Sequence, residues 1–377
     1  MSEKEEEIKS EIVRKELNSG SEEFLEKYLN NASPTGFEKS GQKIWSNYMR
    51  DFSDEIHLDN YGTCYAIIKG DYSEDPYKVV IEAHADEISY FVSYITPDGL
   101  IYVNRNGGSD HQIAPSKRVH IHTRKNGVVD GHFGWPAIHT RKGKGEQAPT
   151  LDNIFIDIGA QTKNEVIEMG VGIGNVITYE DTFKVMNDRY YVGKSLDNKM
   201  GGFMIAEVAR HLKESGKKLP FDLYVVNSVQ EEIGLRGAQM ITHTIKPDCA
   251  IITDVTHDTS TPMIDAQKHG DIKCGSGPTL TVGPAVHNKL LELIRDTAEE
   301  REIDVQIRPA SGSTGTDTDA FAYSNGGVPS ALISLPQRYM HTTVEMVHKD
   351  DVSSVINLMY DTLFSINKGH NFKYFNI

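Results

Sequence analysis

The sequence predicts an α/β protein: an open, mixed, largely parallel sheet with helices on both faces, into which a small all-β, barrel-like domain is inserted. Three observations carry this. Apolar runs of strand length alternate with segments of helical period in residues 1–88 and again in 180–377, as strands joined by crossover helices do. Between about residues 90 and 179 the helical period nearly vanishes, and short alternating segments are separated by turn signals such as Pro97-Asp98-Gly99, Gly107-Gly108, Asn126-Gly127 and Gly134-Trp135-Pro136. Evenly spaced short strands of this kind build a small barrel or sandwich. At 377 residues the chain also exceeds the usual size of one domain. Residues 1–88 and 180–377 are therefore read as one discontinuous α/β domain, and 89–179 as the insert.

In order along the chain, Ile8, Ile12, Val13 and Leu17 recur at helical spacing, and the pattern resumes after Gly20 at Phe24, Leu25, Tyr28 and Leu29. A turn at Ala32-Ser33-Pro34-Thr35-Gly36 leads into a helix through Ile44, Trp45 and Met49. Residues 65–68 and 77–83 read as strands, the second ending in His84-Ala85-Asp86-Glu87. Period two places His84 and Asp86 on one face, where the aspartate orients the ring or joins it as a ligand. Within the insert, 164–169 is the helical exception. His120 and His122 share a strand face there, which polar alternation on a half-exposed strand explains as well as a metal does. Beyond the insert, Asp197 stands at the N-cap position of a helix carrying Phe203, Met204, Val208 and Leu212. The apolar runs 221–226, 249–252 and 331–335 read as strands leading to Glu231-Glu232, Asp254 and His341; 290–297 and 352–364 read as helices. The polar, glycine-rich stretch 311–317 lacks the G-x-x-x-x-G-K-[ST] pattern of a phosphate loop.

Charge and composition narrow the partners. A net charge of −15 repels phosphate backbones, which argues against nucleic acid and anionic membrane surfaces. No apolar run approaches the roughly 18 residues of a spanning helix. The acidic opening Met1-Ser2-Glu3-Lys4-Glu5-Glu6-Glu7 is no secretory signal, so a cytoplasmic location is expected. Three dispersed cysteines, Cys64, Cys249 and Cys274, read as small core residues in a reducing compartment.

His84, the pair Glu231-Glu232, Asp254 and His341 each fall at or just past the C-terminal end of an expected buried strand, and Asp197 lies on a strand-to-helix turn. Ligands of open α/β sheets bind in the crevice beyond those ends. Neighbouring side chains of a strand point to opposite faces, so Glu231 and Glu232 are expected to do different jobs, one holding a cation and the other moving a proton. Gly234 and Gly237 permit a sharp turn beside them. Two divalent cations would bring four positive charges against three from Asp197, Glu232 and Asp254, leaving one for a bridging hydroxide. Mixed carboxylate and imidazole donors suit zinc, cobalt or manganese. Paired ions about 3.5 to 4 Å apart make a nucleophile at neutral pH and polarise a carbonyl, and Glu231 beside them would take the water's proton and pass it to a leaving amine.

The runs His84-Ala85-Asp86-Glu87-Ile88, Ser195-Leu196-Asp197-Asn198, Gln230-Glu231-Glu232-Ile233-Gly234-Leu235-Arg236-Gly237-Ala238, Gly315-Thr316-Asp317 and Arg338-Tyr339-Met340-His341-Thr342-Thr343-Val344-Glu345 resemble the M42 family of dinuclear metallo-aminopeptidases. The likeness covers nearly the whole chain in the family's order and spacing; the run 230–238 is highly specific and the others moderately so. It implies a phosphorylase/hydrolase-like metallopeptidase fold and two divalent ions per subunit, Zn²⁺ or Co²⁺ or else Mn²⁺. His84, Asp197 and Asp254 would hold one ion and Asp197, Glu232 and His341 the other, with Asp197 bridging, Glu231 as the base and Asp86 supporting His84. It further implies short peptide substrates cleaved at their N-terminus, a cis peptide between Asp197 and Asn198, an insert used for dimerisation, and a homo-oligomer assembled from dimers, commonly a hollow dodecamer. Ser89 stands where glycine is usual, Lys199 where arginine is common, and Gln337 and Thr342 depart near the last ligand. None removes a ligand. They touch the rim of the cleft, whose walls are expected to include 311–317 and Arg338, and side-chain preference stays open.

Three other readings compete. A related deacylase or carboxypeptidase would use the same core on other amides, and would cut an N-acetylated substrate that an aminopeptidase refuses. A glycoside hydrolase needs two carboxyls about 5 to 9.5 Å apart and usually no metal, which leaves the histidines without a purpose. An inactive assembly protein has no need of the five ligands and the base, all of which are present.

Overall fold

The computed structural model describes residues 17–72, 76–141, 148–367 and 370–375; the helical pattern at Ile8, Ile12 and Val13 lies outside them. Helix α1 (Ser19–Asn30) begins where the Asn18 side chain accepts the Ser21 N–H at 2.9 Å, and it buries Phe24, Leu25, Tyr28 and Leu29, one stripe at helical spacing. Gly20 lies in its first turn. The break expected there is instead the start of the helix. Helix α2 (Lys39–Met49) follows and buries Trp45 and Met49. Strands β1 (Glu55–Leu58) and β2 (Cys64–Ile68) form a hairpin whose turn is held by Asp59, which accepts the N–H groups of Tyr61, Gly62 and Thr63. β3 (Lys78–His84) is buried along nearly its whole length.

The chain then leaves the sheet for β4 (Ser89–Ile95), β5 (Ile101–Asn106), β6 (Arg118–His122), β7 (Val128–Gly134), β8 (Phe155–Asp157), the short helix α3 (Lys163–Glu168) and β9 (Val176–Tyr179). The strands close into a barrel in the order β4-β5-β8-β7-β6-β9. Tyr90, Val92, Ile101, Ile121, Phe133 and Ile177 are among the side chains of its own buried cluster. Closure leaves no unpaired edge.

The chain returns through β10 (Lys184–Met186) and β11 (Tyr190–Gly193) to α4 (Leu196–Ser215), then β12 (Asp222–Ser228), α5 (Arg236–Ile245), β13 (Cys249–His257), α6 (Ala266–His269), β14 (Thr279–Val282), α7 (Asn288–Glu300), β15 (Gln306–Pro309), α8 (Asp317–Ala322), β16 (Ser330–Arg338), β17 (Glu345–His348) and α9 (Lys349–Ser365). The sheet runs β1-β2-β12-β3-β13-β16-β17-β11-β10, with β14 pairing β15 and β16. Its centre, β12, β3, β13 and β16, is parallel, and antiparallel pairs flank it. β16 continues through Pro336, longer than the apolar run 331–335 suggests. The proline sits between the residues that pair with β14 (Ile333, Ser334) and those that pair with β17 (Gln337, Arg338), where its missing N–H costs no ladder bond.

Helix α4 is buried on all sides from Leu196 to Leu212. It packs on the sheet so closely that a Cβ on Gly201 would meet Ala83 at 2.9 Å, and α1, α2 and α9 pack against it. Ala83 faces α4, so alternation along β3 sends Glu82 and His84 to the other side, where α8 lies with Asp317 against Glu82. Among the described residues no helix is long and apolar enough to cross a membrane.

Candidate active site

At the C-terminal ends of the parallel strands six carboxylates, from Asp86, Asp197, Glu231, Glu232, Asp254 and Glu345, gather around the rings of His84 and His341. His84 is the last residue of β3. Asp254 is not at a strand end as the apolar run implies; β13 continues beside β16 to His257, and its register with β3 (Ile252 opposite Glu82) sets Asp254 level with His84. Glu231 and Glu232 lie beyond β12, which ends at Ser228, so their different directions come from a turn rather than from strand pleat. Gln230 at φ 58° and Gly234 at φ 117° make that turn. Gly237 is required there, because a Cβ would stand 2.4 Å from the Val229 carbonyl oxygen.

Asp197 does not cap its helix. The residue before α4, Ser195, is left-handed, the Asp197–Asn198 peptide is cis, and neither Asp197 nor Asn198 has helical angles. The capping contact is made by Asn198, whose Oδ1 accepts the Gly201 N–H at 3.0 Å while its Nδ2 donates to the Thr253 carbonyl at 2.9 Å. The Asp197 carboxylate is thereby free to face both histidines. Its Oδ1 lies 3.3 Å from His84 Nε2, and its Oδ2 lies 3.3 Å from His341 Nε2. Asp254 Oδ1 and Glu231 Oε2 each stand 3.8 Å from His84 Nε2, and Glu232 Oε1 stands 3.5 Å from His341 Nε2.

Each ring turns its other nitrogen to an acceptor. His84 Nδ1 faces Asp86 Oδ1 at 3.4 Å, and His341 Nδ1 faces the Gly108 carbonyl oxygen at 3.3 Å. A carbonyl only accepts, so His341 carries a proton on Nδ1, which leaves Nε2 as the nitrogen turned to the centre, the orientation of metal-bound imidazoles. Asp86 also accepts the main-chain N–H groups of Glu231 (2.9 Å) and Glu232 (3.2 Å) and the hydroxyl of Thr35 (2.8 Å), which ties the glutamate turn to β3.

The donor set fits divalent cations. The ligand atoms of His84, Asp197 and Glu232 lie within 4.8 Å of one another, as do those of His84, Glu231 and Asp254. Two donors about 2.1 Å from a common tetrahedral ion stand about 3.4 Å apart, close to the Asp197–histidine separations. Without cations the cluster carries too much negative charge. Burial first, with Asp254 and its neighbours adding, drives Glu231 up to about 10; burial raises Asp254 well above the ordinary carboxylate range; and burial, then Asp197, raises Glu345. Distances group Glu231 with His84 and Asp254 as closely as they group any ligand.

Several buried polar residues around the centre were not singled out by the sequence reading. Glu345, fully buried, accepts the N–H of Asp197 (3.1 Å) and of His341 (2.8 Å), joining two proposed ligands; it closes the Arg338 to Glu345 run and was there to be found. Glu87 accepts from Lys194 Nζ at 2.6 Å, with Lys199 Nζ at 3.5 Å. Ser228 lies between the buried Glu82 (2.6 Å) and Asp317 (2.7 Å). One hydroxyl proton cannot serve two carboxylates, and burial holds Glu82 well above its usual range, so one acid keeps a proton. Asp317 thus turns inward and does not line the cleft, and Arg338 pairs with Asp258 at 2.9 Å. The cleft beside Asp197 and His341 is walled by Ile88, Tyr179, Lys194 and Thr342. In the barrel, His122 Nε2 meets Thr178 at 2.9 Å and His120 Nε2 faces Asp130 at 3.5 Å.

A crevice of convergent acids and imidazoles at the carboxyl edge of a mixed α/β sheet is the site of a hydrolase. Residues 62–358 match the model of the family described as M42 glutamyl aminopeptidase. The lysyl aminopeptidase of Pyrococcus furiosus is 31% identical over 341 residues, covering 89% of this chain and 94% of its own. The glutamyl aminopeptidase of Lactococcus lactis subsp. cremoris is 28% identical, covering 88% and 93%. The crystal structure of a TET aminopeptidase from the marine sediment archaeon Thaumarchaeota archaeon SCGC AB-539-E09 superposes with a TM-score of 0.86 at 29% identity, covering 92% and 97%. The chain belongs to the M42 family of aminopeptidases and is a peptidase.

Proposed function

We propose that this chain is a metal-dependent aminopeptidase that removes N-terminal residues from short peptides, with His84, Asp197 and Asp254 holding one divalent ion, Zn²⁺, Co²⁺ or Mn²⁺, and Asp197, Glu232 and His341 a second. One observation carries the reading: a single buried carboxylate, Asp197, turns one oxygen toward each of two histidines. When bound, such a pair of ions supplies an acidified water and polarises the scissile carbonyl. Glu231 is the group left to move protons, taking one from the attacking water and giving it to the leaving amine. Asp86 supports His84 and the glutamate turn, and Glu345 fixes the main chain of Asp197 and His341. The closed barrel of 89–179, with its own core, is the part through which subunits pair into a homo-oligomer, and unpaired Cys64, Cys249 and Cys274 suit a reducing cytoplasm.

The test is a panel of aminoacyl-p-nitroanilides and their N-acetylated forms, assayed after chelation and after return of zinc, cobalt or manganese. Only free-amine substrates should be cut, and only after metal is restored. Preference for the N-acetylated forms would make the chain a deacylase, and cellulose hydrolysis surviving chelation would remove the metallopeptidase mechanism altogether. Light scattering on the eluted protein measures the assembly.

A further inference from the structure

The barrel reaches the catalytic centre through the segment that follows β5. Gly107 packs on the glutamate turn, where a Cβ would stand 3.2 Å from Glu232 Cβ. Gly108 packs on the ring of His341, where a Cβ would stand 2.6 Å from Nδ1 and 2.7 Å from Cε1, and its carbonyl oxygen accepts from that same Nδ1. The segment is anchored on both sides. Asn106 Nδ2 donates to the Thr35 carbonyl (2.9 Å) and to Ser89 Oγ (2.8 Å), and Ser109 Oγ donates to the Ser89 carbonyl (2.6 Å). Asn106 and Ser109 are buried. An addition at Gly108 must therefore move the ring rather than the loop.

We infer that the seating of the barrel conditions one of the two cation positions, the one formed by Asp197, Glu232 and His341, with Gly108 as the positioning residue. This rests on the two-ion reading above. The two ligands that belong to that position alone, Glu232 and His341, are the two that residues 107–108 touch. The two that belong only to the other, His84 and Asp254, stand on β3 and β13 within the parallel sheet. The Gly108 carbonyl selects the Nδ1–H tautomer, which is the form able to ligate through Nε2. Occupancy of this second position then reports whether the barrel is docked, so an event that shifts the barrel is sensed at one ion and not at the other.

Gly108 is a clean position to probe, because it is absent from the residues with left-handed φ and alanine there meets only the His341 ring. Chelator-stripped wild type, Gly108→Ala and Gly172→Ala are titrated with Co²⁺, followed by visible absorption and by elemental analysis after gel filtration. Gly172 is the control, since a Cβ there meets nothing within 4 Å. Wild type and Gly172→Ala should bind two equivalents, and Gly108→Ala one with wild-type affinity and a second weakened about 10- to 100-fold, the usual cost of disturbing a ligand's supporting contact. Asn106→Ala, which loosens the segment without adding bulk, should weaken the same second equivalent and serves if Gly108→Ala fails to fold. Two equivalents of unchanged affinity in both variants, or the joint weakening of both equivalents, would overturn the inference while leaving the two-ion reading in place. Failure of wild type to take up cobalt would remove both.

Discussion

Exchanging Glu87 for glutamine keeps the volume of the side chain and removes one charge from beneath the cleft. The carboxylate is 4% exposed, takes Lys194 Nζ at 2.6 Å and lies 3.5 Å from Lys199 Nζ, a nitrogen on a side chain with no exposure at all. Burial alone would raise Glu87, but the two ammonium groups more than offset it and hold the carboxyl at about 2 instead of 4.5. At about 1.36 kcal/mol per pH unit that depression is worth about 3 kcal/mol. Burial, with Glu87 opposing it, pulls Lys199 down from 10.5 to about 8, a cost of about the same size on the same scale. The carboxylate is thus what makes two buried ammonium groups tolerable, and removing it strands two cations in a low-dielectric interior, which costs about 3 to 5 kcal/mol.

Guanidinium unfolding followed by Trp45 fluorescence, in a Trp135→Phe background, measures the loss. Trp45 is fully buried and its indole N–H donates to the Gly202 carbonyl at 2.8 Å, in the helix that carries Lys199. The midpoint should fall with an unchanged slope, and Lys199→Met added to the variant should recover part of it. The pH dependence has a definite sign. A depressed carboxyl stabilises fully above its unfolded value of 4.5, and that contribution is lost as the pH falls through about 2, so the acid-side slope of the wild type should shrink in the variant. A loss below about 0.5 kcal/mol, the size of an inert surface change, would refute the reasoning.

Glu231→Gln should leave metal content unchanged and lower kcat by about 10²- to 10⁴-fold, the range of a positioned general base; activity within a factor of two would show that Glu231 is not the base. Asp197→Asn removes the charge shared by both histidines, and elemental analysis should find both equivalents of metal reduced together, against loss of one if Asp197 serves a single ion. Gly237→Ala forces a methyl against the Val229 main chain at 2.4 to 2.5 Å and should destabilise by about 1 to 3 kcal/mol. Thermal unfolding at wild-type midpoint would show that the glutamate turn is not held as tightly as its geometry requires.

The parts legible in the sequence were those written in local period and composition. Alternating strand and helix patterns marked the α/β sheet, turn signals every few residues marked the barrel, and the candidate site residues were those that followed the apolar runs. Less was legible where pairing overrides local signals. Asp254 looked terminal because its apolar run stops at Ile252, yet a long neighbour carries β13 on to His257. Asp197 looked like a cap because acids favour that position, but Asn198 beside it takes the contact. Glu231 and Glu232 were separated for a reason of strand pleat, whereas the divergence comes from residues with left-handed backbone.

The kinds of atoms available to the centre, and the order in which the chain delivers them, belong to the sequence alone, because donor chemistry is a property of each side chain. Their convergence belongs to the tertiary structure. Register between β3 and β13 levels His84 with Asp254, Glu345 reaches back 148 residues to the backbone of Asp197 while also holding that of His341, and a barrel glycine 233 residues away sets the proton on His341. Contacts of that separation leave no trace in local pattern, since neither partner's neighbours along the chain encode the distance at which the other will lie.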